Sequence, residues 1–206
     1  MEIQRSENWF KERNGKFTAS EIHKLLGIKG LGLTGQGYAF EKAAENVFGR
    51  NEEESFISYD MQRGIDLEPL AFTKFKESKE IDFINVKNCS FFKYGTNAGA
   101  SPDGMVGTDD CLEIKCPKPN KFFNLIEKGV EAIDKEYIAQ MQMQMMASKS
   151  MKCYFFNYII FNGVEMWHEI VINRDEVMIE LIDKRINEAV KLRDEYVVNL
   201  IKNKQF

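Results

Sequence analysis

The sequence predicts an α/β fold, and three stretches carry that prediction. In residues 112–116 (LEIKC) apolar and polar side chains alternate, which is the period of a strand. Residues 152–160 and 164–172 flank Phe161-Asn162-Gly163, a pattern typical of a β-hairpin. Between residues 177 and 201 isoleucine and valine recur at helical spacing, which predicts a long amphipathic helix. Strands and helices are therefore expected together in one architecture.

The composition indicates a globular protein of ordinary size. The chain has 206 residues, of which 44% are hydrophobic and 29% charged, so we expect a single domain over residues 1–206. No apolar run approaches the roughly 20 residues needed to cross a bilayer. The first ten residues lack the basic-then-apolar pattern of a signal peptide, so we expect a cytoplasmic protein without membrane association. The net charge of −4 argues weakly against bulk attraction to DNA, but local positive charge would still permit binding.

Helices are predicted through most of the first half of the chain. Residues 5–13 suit a short helix. Thr18, with Glu21 three residues later, has the capping-box pattern and predicts the start of a second helix. Residues 38–48 predict a third through the spacing of their apolar side chains.

Three features interrupt this helical half. Residues 30–35 spell GxGxxG, but no strand precedes them, so a flexible loop that touches DNA is favoured over a dinucleotide site. The acidic run 52–54 is expected to be a solvated loop. Pro69 lacks a backbone donor, so it should kink the next helix or mark a restart.

The second half is predicted to mix strands and helices. The aromatic residues in 82–94 indicate a hairpin or two short strands. Residues 120–129 predict a helix. Residues 133–148 alternate like a strand, but their Ala, Gln and Met content favours a helix. Asn173 with Glu176 resembles the start of the last helix.

The stretch 101–119 contains the most promising chemistry. Asp103 lies in a Ser-Pro-Asp-Gly turn, and Glu113 and Lys115 share one face of the predicted strand. Two carboxylates are hard oxygen ligands that suit Mg²⁺, and a bound metal supplies hydroxide and neutralises phosphate charge. The ammonium of Lys115 would orient water or stabilise the transition state. These residues predict phosphodiester cleavage, although a Glu and Lys two apart are more often a solvated pair.

Asp103 with Glu113-Ile114-Lys115 resembles the PD-(D/E)xK nuclease motif. The surrounding SPDG and LEIKCP resemble the lambda exonuclease family, the YqaJ-like phage alkaline exonucleases. The resemblance implies a restriction-endonuclease-like core, with a mixed central β-sheet flanked by helices. It also implies that Asp103, Glu113 and the backbone carbonyl of Ile114 hold the metal, while Lys115 activates or positions water.

A second motif, RNGKFTASEIH, is similar to the opening motif of the same family. In that family the arginine and serine that match Arg13 and Ser20 help to bind a terminal 5′-phosphate. A guanidinium fork and a hydroxyl suit that task. Ser101 is expected to join them around the phosphate, whereas His23 is expected to be structural.

Two further segments complete the resemblance. RGIDLEPLA is similar to the family helix whose glutamate completes the metal cleft, which gives Glu68 as a third carboxylate that supports a second ion. Met61 matches an apolar residue that separates the duplex end, but core packing is the favoured alternative. YxxQxQ places Tyr137 beside the substrate and gives Gln140 the role of orienting the site. On a helix these two residues share a face with Gln144.

The resemblance implies a 5′-to-3′ double-stranded DNA exonuclease that depends on Mg²⁺, with Mn²⁺ as a possible substitute. It would release mononucleotides and leave 3′ single-stranded overhangs in a phage-type recombination system. The partners implied are double-stranded DNA ends, two further copies in a toroidal homotrimer, and a single-strand annealing protein. Two alternatives stay open: an endonuclease or repair nuclease with the same core, and a non-catalytic DNA-binding relative.

Overall fold

The structure is a computed structural model that describes residues 6–50 and 58–203. Arg5 of the first predicted helix and the acidic run 52–54 lie outside the described residues. The α-helices are α1 (Glu7–Arg13), α2 (Gly32–Phe48), α3 (Tyr59–Glu80), α4 (Pro119–Lys128), α5 (Lys135–Ser148) and α6 (Glu176–Lys202). The strands are β1 (Phe17–Thr18), β2 (Val86–Lys87), β3 (Phe92–Tyr94), β4 (Ala98–Ala100), β5 (Gly104–Val106), β6 (Asp110–Lys115), β7 (Lys152–Phe161) and β8 (Val164–Asn173). Short 3₁₀ helices cover Ala19–Leu25 and Gly129–Ala132.

The strands form two sheets. The larger one has five strands in the order β2-β5-β6-β7-β8, and the smaller one has three in the order β1-β4-β3. In the larger sheet β6 and β7 run parallel, whereas the other neighbouring pairs run antiparallel. The register pairs Glu113 with Phe155 and Lys115 with Asn157. Because paired residues point to the same side, these four side chains share one face of the sheet.

Helices cover both faces of the larger sheet. Helix α3 packs Ala71 and Phe75 against Leu112 and Ile114, the apolar face of β6. Helix α5 covers the opposite face, where Met141 packs with Phe155. The predicted mixed sheet flanked by helices is therefore confirmed, but both faces of β6 are buried, so its polar residues face another helix instead of solvent.

Helix α5 lies between the larger sheet and α6. Met141 and Met145 face the sheet, whereas Ala139 and Met143 pack with residues of α6 such as Ile182. A helix that is buried on both sides needs apolar residues around most of its circumference. That requirement explains the methionine pattern that resembled a strand, and the prediction of a helix is confirmed.

The predicted hairpin is also confirmed. Strands β7 and β8 pair antiparallel along their whole length, with Phe161 opposite Val164. Asn162 and Gly163 both take positive φ angles, 52° and 78°, as the two central residues of a tight type I′ turn require. Phe161 belongs to the strand, so the turn consists of the Asn-Gly pair.

The capping-box prediction at Thr18 was wrong. Thr18 lies in β1, which pairs with β4, and its side chain makes no capping hydrogen bond. The segment that follows is a 3₁₀ helix, Ala19–Leu25, instead of an α-helix. Strand pairing fixes Thr18 in an extended conformation, and the local sequence pattern carries no information about that long-range partner.

Residues 30–35 were predicted to be a flexible loop, which was wrong for residues 32–35 because α2 begins at Gly32. At Pro69 helix α3 shows no restart, since it continues from Tyr59 to Glu80. The Thr73 hydroxyl donates to the Pro69 carbonyl oxygen within that helix, at 3.0 Å.

Two boundaries in the second half also differ from the prediction. Residues 82–94 contain two short strands, β2 and β3, as one of the two predicted alternatives had it; the other alternative, a hairpin, is wrong because the two strands belong to different sheets. Asn173 ends β8, and the N-cap of α6 is Asp175, whose side-chain oxygen accepts from the backbone N–H groups of Val177 and Met178. No helix within residues 6–50 or 58–203 combines the length and apolar character that membrane crossing demands.

Gly99 in the middle of β4 provides a test of the packing around the smaller sheet. A Cβ atom there would lie 2.3 Å from the Phe91 ring and 2.6 Å from the backbone oxygen of Phe92. We expect Gly99→Ala to lower the free energy of unfolding by about 1–3 kcal/mol through overpacking, as measured by urea denaturation.

Gly37→Ala is the matched control, because Gly37 lies in α2 and the structure places no described atom within 4 Å of its added Cβ. We expect this change to raise stability by about 0.5–1 kcal/mol. Equal effects of the two substitutions would contradict the packing described for β4.

Candidate active site

Glu113 in the middle of β6 is the centre of the candidate site. Its side chain is only 2% exposed. One carboxylate oxygen, Oε1, accepts hydrogen bonds from Lys115 Nζ and from Gln140 Nε2, the latter at 2.6 Å. The other oxygen, Oε2, accepts from Gln144 Nε2 at 2.5 Å. A buried carboxylate is tolerated only when such partners replace water, so this network holds Glu113 in one orientation.

Lys115 lies two residues further along β6, on the same face. Burial alone would lower the pKa of its ammonium group, but the carboxylates of Glu113 and Asp103 outweigh burial and raise the pKa above its usual value. The Lys115 nitrogen also lies 4.8 Å from the centre of the Tyr137 ring. The ammonium is therefore held as a cation at the end of the strand.

Asp103 reaches the same place from a bend directly before β5. Its backbone N–H donates to the Leu112 carbonyl oxygen at 2.9 Å, and its carboxylate Oδ2 accepts from the Ile114 N–H at 2.6 Å. These two bonds fix the bend against β6. Burial, followed by the nearby charges of Glu113 and Glu68, raises the pKa of Asp103 well above its usual value. The site therefore concentrates negative charge that a cation would neutralise.

Glu68 comes from α3 and lines the same cavity as Asp103 and Glu113. This cavity has a volume of about 220 Å³. It brings together residues from α1, the first 3₁₀ helix, α3, β6 and α5, as well as Ser101 and Asp103 from the segment between β4 and β5. Its walls are formed by Trp9, Arg13, Ala19, Ser20, Glu68, Ser101, Asp103, Glu113, Ile114, Lys115 and Gln140.

The donor set fits Mg²⁺ by its chemistry. Within the described parts of the chain no three His, Cys, Asp or Glu side chains form a ready-made metal cluster. Mg²⁺ usually takes only one or two protein carboxylates and keeps several waters, so a cluster of three is not required. Asp103, Glu113 and the Ile114 carbonyl would hold such an ion, with Glu68 on the wall of the same cavity.

Arg13 occupies the other end of this cavity. Its guanidinium donates to the hydroxyl of Ser101 at 3.5 Å and to that of Ser20 at 3.4 Å. Burial lowers the pKa of Arg13 to about 10, so the group stays charged at neutral pH. The structure therefore brings Arg13, Ser20 and Ser101 together, and a charged guanidinium with two hydroxyls can bind a phosphate group.

Trp9 belongs to this pocket but was missed by the sequence analysis. Its indole N–H donates to the Ser101 hydroxyl at 2.9 Å, and the Arg13 guanidinium lies 4.1 Å from the centre of its ring. Trp9 precedes Arg13 by four residues, so the two lie on one face of α1. That spacing was the signal that could have identified Trp9.

The polar face of α5 is placed as the helical spacing predicted. Tyr137 contacts Lys115, while Gln140 and Gln144 both donate to Glu113. Gln144 was recognised on this face but not as a site residue. It is fully buried and donates to the carboxylate directly.

Met61 does not pack in the core. Its side chain is 56% exposed at the start of α3, and it lines a second, larger cavity next to Lys115. The alternative interpretation of Met61 as a core residue was therefore wrong. Its predicted contact with the duplex end stays a prediction.

The mixed sheet, the carboxylates and the adjoining lysine define a nuclease of the PD-(D/E)xK class. The model of the YqaJ-like viral recombinase domain matches residues 8–150, and the chain belongs to this family. The predicted family is thereby confirmed. No protein with a curated description matches the sequence significantly.

Solved structures agree with this assignment. An alkaline exonuclease (LHK-Exo) from Laribacter hongkongensis is 28% identical, with 96% of this chain and 97% of that chain covered and a TM-score of 0.82. Its complex with dAMP has the same identity and coverage and a TM-score of 0.81. A phage related exonuclease from Haemophilus somnus 129PT is 19% identical over 90% of this chain and 96% of that chain, with a TM-score of 0.70, and supports the fold.

The two glutamines that bind Glu113 provide a stability test. Gln144 is fully buried, whereas Gln140 is partly exposed. We expect Gln144→Met to lower the free energy of unfolding by about 1–3 kcal/mol, because Glu113 Oε2 loses a partner that water cannot replace. Gln140→Met should cost less than about 1 kcal/mol, because water can reach that side. Urea denaturation in the presence of a chelator measures both, and equal losses would contradict the buried network.

Proposed function

We propose that the chain is a 5′-to-3′ exonuclease that acts on the ends of double-stranded DNA, depends on Mg²⁺ and accepts Mn²⁺ in its place. It releases mononucleotides and leaves 3′ single-stranded overhangs. The observation that carries this proposal is that Arg13, Ser20 and Ser101 line the same cavity as Asp103 and Glu113. The likeness to an alkaline exonuclease over 96% of this chain supports it.

The size of the cavity supports a terminal phosphate as its ligand. A volume of about 220 Å³ is below the range of roughly 300–1,000 Å³ that encloses a small-molecule ligand. The cavity therefore suits phosphate groups and a connecting sugar better than a whole nucleotide. A strand that enters with its 5′-phosphate at Arg13 has its next phosphate directed towards Asp103 and Glu113.

In this proposal the residues of the cavity have separate roles in hydrolysis. A bound Mg²⁺ would lower the pKa of a coordinated water and neutralise charge on the phosphate. Asp103, Glu113 and the Ile114 carbonyl would hold the ion, with Glu68 available for a second one. Lys115 positions the attacking water and stabilises the charge that develops on the phosphate oxygens.

Gln140 acts through Glu113 in this scheme. Its bond to Oε1 keeps the carboxylate turned towards the cavity, and Gln144 does the same from the buried side. Tyr137 limits the movement of Lys115 by covering its ammonium group. Met61 is exposed at the start of α3, and in this proposal it contacts the duplex end.

The wider setting of this activity follows the family. We propose a toroidal homotrimer that works in the cytoplasm within a phage-type recombination system and hands its 3′ strand to a single-strand annealing protein. Membership of the YqaJ-like viral recombinase domain family supports this setting. The mass of the assembly in solution, measured by light scattering, tests the trimer.

The preference for free ends separates this proposal from an endonuclease. We expect purified protein with Mg²⁺ to degrade linear duplex and to leave closed circular duplex intact. Asp103→Asn and Lys115→Met should each slow degradation by at least about 100-fold, because the first removes an anionic metal ligand and the second removes the cation beside the reacting phosphate. Lys191→Met, on the exposed face of α6, is the control and should retain the full rate.

Three results would overturn this assignment. Cutting of the closed circle would favour an endonuclease, and unchanged degradation by both site variants would place the activity elsewhere. Tight DNA binding without degradation would identify a non-catalytic relative.

The end phosphate tests the pocket separately from the cleavage site. We expect linear duplex with 5′-phosphate ends to be degraded at least about tenfold faster than duplex with 5′-hydroxyl ends, because Arg13 and the two hydroxyls bind the charged end. Arg13→Gln should remove most of this difference by slowing only the phosphorylated substrate. Initial rates on the four combinations measure it, and equal slowing on both substrates would contradict the pocket.

A further inference from the structure

A second cavity lies on the other side of Lys115. It has a volume of about 920 Å³ and extends between the start of α3, α4 and α5. Lys115 lines both this cavity and the smaller one that holds the carboxylates. A strand that passes the carboxylates from the Arg13 end therefore leaves past Lys115 into the larger space.

The wall of the larger cavity combines aromatic and basic groups. Tyr137 and Phe155 lie side by side with ring centres 6.0 Å apart. Lys118 pairs with Asp60, and Lys121 with Asp134, in partly exposed ion pairs at the cavity wall. Exposed pairs of this kind contribute little to stability and exchange partners readily, so these lysines can turn towards a phosphate. Aromatic rings with nearby cations are typical of surfaces that bind single nucleic-acid strands.

Asn157 supplies an independent observation. It lies on β7 next to Lys115, lines the cavity and is fully buried. Its Nδ2 donates to the Phe155 carbonyl oxygen at 3.4 Å, but its Oδ1 is buried and accepts no hydrogen bond from any described residue. An unpartnered buried acceptor is unfavourable, so its presence points to a ligand that brings a donor.

We propose that this cavity binds the nucleotide on the 3′ side of the bond that is cut. The base packs against the partly exposed ring of Tyr137, behind which Phe155 is buried, and an amino or ring N–H of the base donates to Asn157 Oδ1. This inference rests on the proposed exonuclease function, because that function sets the direction of the strand. Each of the four bases carries such a donor, so the subsite accepts any base.

Binding to duplexes that lack one base tests the subsite. The probe is a linear 5′-phosphorylated duplex with a phosphorothioate at the first bond, in Ca²⁺ so that it is not cut. The base is present throughout, removed from the first nucleotide, or removed from the second. We expect removal at the second nucleotide to weaken binding about tenfold, as the loss of one base–aromatic contact implies. Removal at the first nucleotide should have a smaller effect.

Asn157→Leu separates a ligand role from a structural one. The leucine is close in size and removes the unpartnered oxygen, so we expect the melting temperature to be unchanged or higher. Binding of the intact duplex should weaken about fivefold, and the penalty for removing the second base should shrink. Asn187→Leu, the same change on an exposed part of α6, should bind like the wild type.

Every other outcome contradicts one part of the proposal. A larger effect at the first nucleotide, or no effect at either, removes the subsite. A fall in melting temperature with unchanged binding makes Asn157 structural. If linear duplex is not degraded in Mg²⁺ although binding depends on the second base and on Asn157, the exonuclease proposal fails while the subsite stands.

Discussion

The buried carboxylate of Glu113 is the constraint on which the rest of the site depends. Its hydrogen bonds to Lys115, Gln140 and Gln144 join the central strand of the larger sheet to α5. An apolar side chain at this position would leave a lysine and two amides without their partner. The cost of burying the charge is thus offset only when α5 stands in this register against β6. That requirement ties the packing of the core to the arrangement of the candidate site.

Asp103, the second carboxylate of the site, is positioned by hydrogen bonds to the backbone of β6. Asp103 is fixed because its bend hydrogen-bonds to Leu112 and Ile114, one residue on either side of Glu113. Gly104 continues the same contact by pairing with Leu112 in the sheet. The separation of the two carboxylates therefore follows from strand pairing, which is stiff. Such stiffness would preorganise the site for the metal ion and the phosphate of the proposed function.

The sequence predicted the elements whose information is local. The alternation in 112–116, the Asn-Gly turn and the composition of α5 each identified an element correctly, because period and turn chemistry are properties of a few neighbouring residues. The capping bond at Thr18 and the hairpin alternative for residues 82–94 failed for one reason. In both places the structure depends on long-range strand pairing. Strand β1 pairs with β4, and β2 and β3 belong to different sheets.

The same distinction between local and long-range information applies to the candidate site. Motif resemblance named Asp103, Glu113, Lys115 and Arg13, and the structure places all four around one cavity. Gln144 was missed as a site residue because glutamine is usually structural and only its contact with Glu113 reveals a role. Trp9 was missed although its spacing from Arg13 was a signal. Asn157 was missed more completely, since nothing in a strand sequence shows that an amide oxygen will be buried without a donor.

Lys115 connects these observations because it stands at the boundary between the two cavities. On one side it bonds to the carboxylate that would hold a metal, and on the other it faces the space lined by Tyr137 and Asn157. A partly buried cation at this junction would attract a polyanionic strand to the boundary, and a phosphate that arrived there would compete with Glu113 for the ammonium. Loss of the bond to Lys115 would leave Oε1 with its hydrogen bond from Gln140 and make it more available to a metal ion. Substrate and metal would thus be coupled through one ion pair.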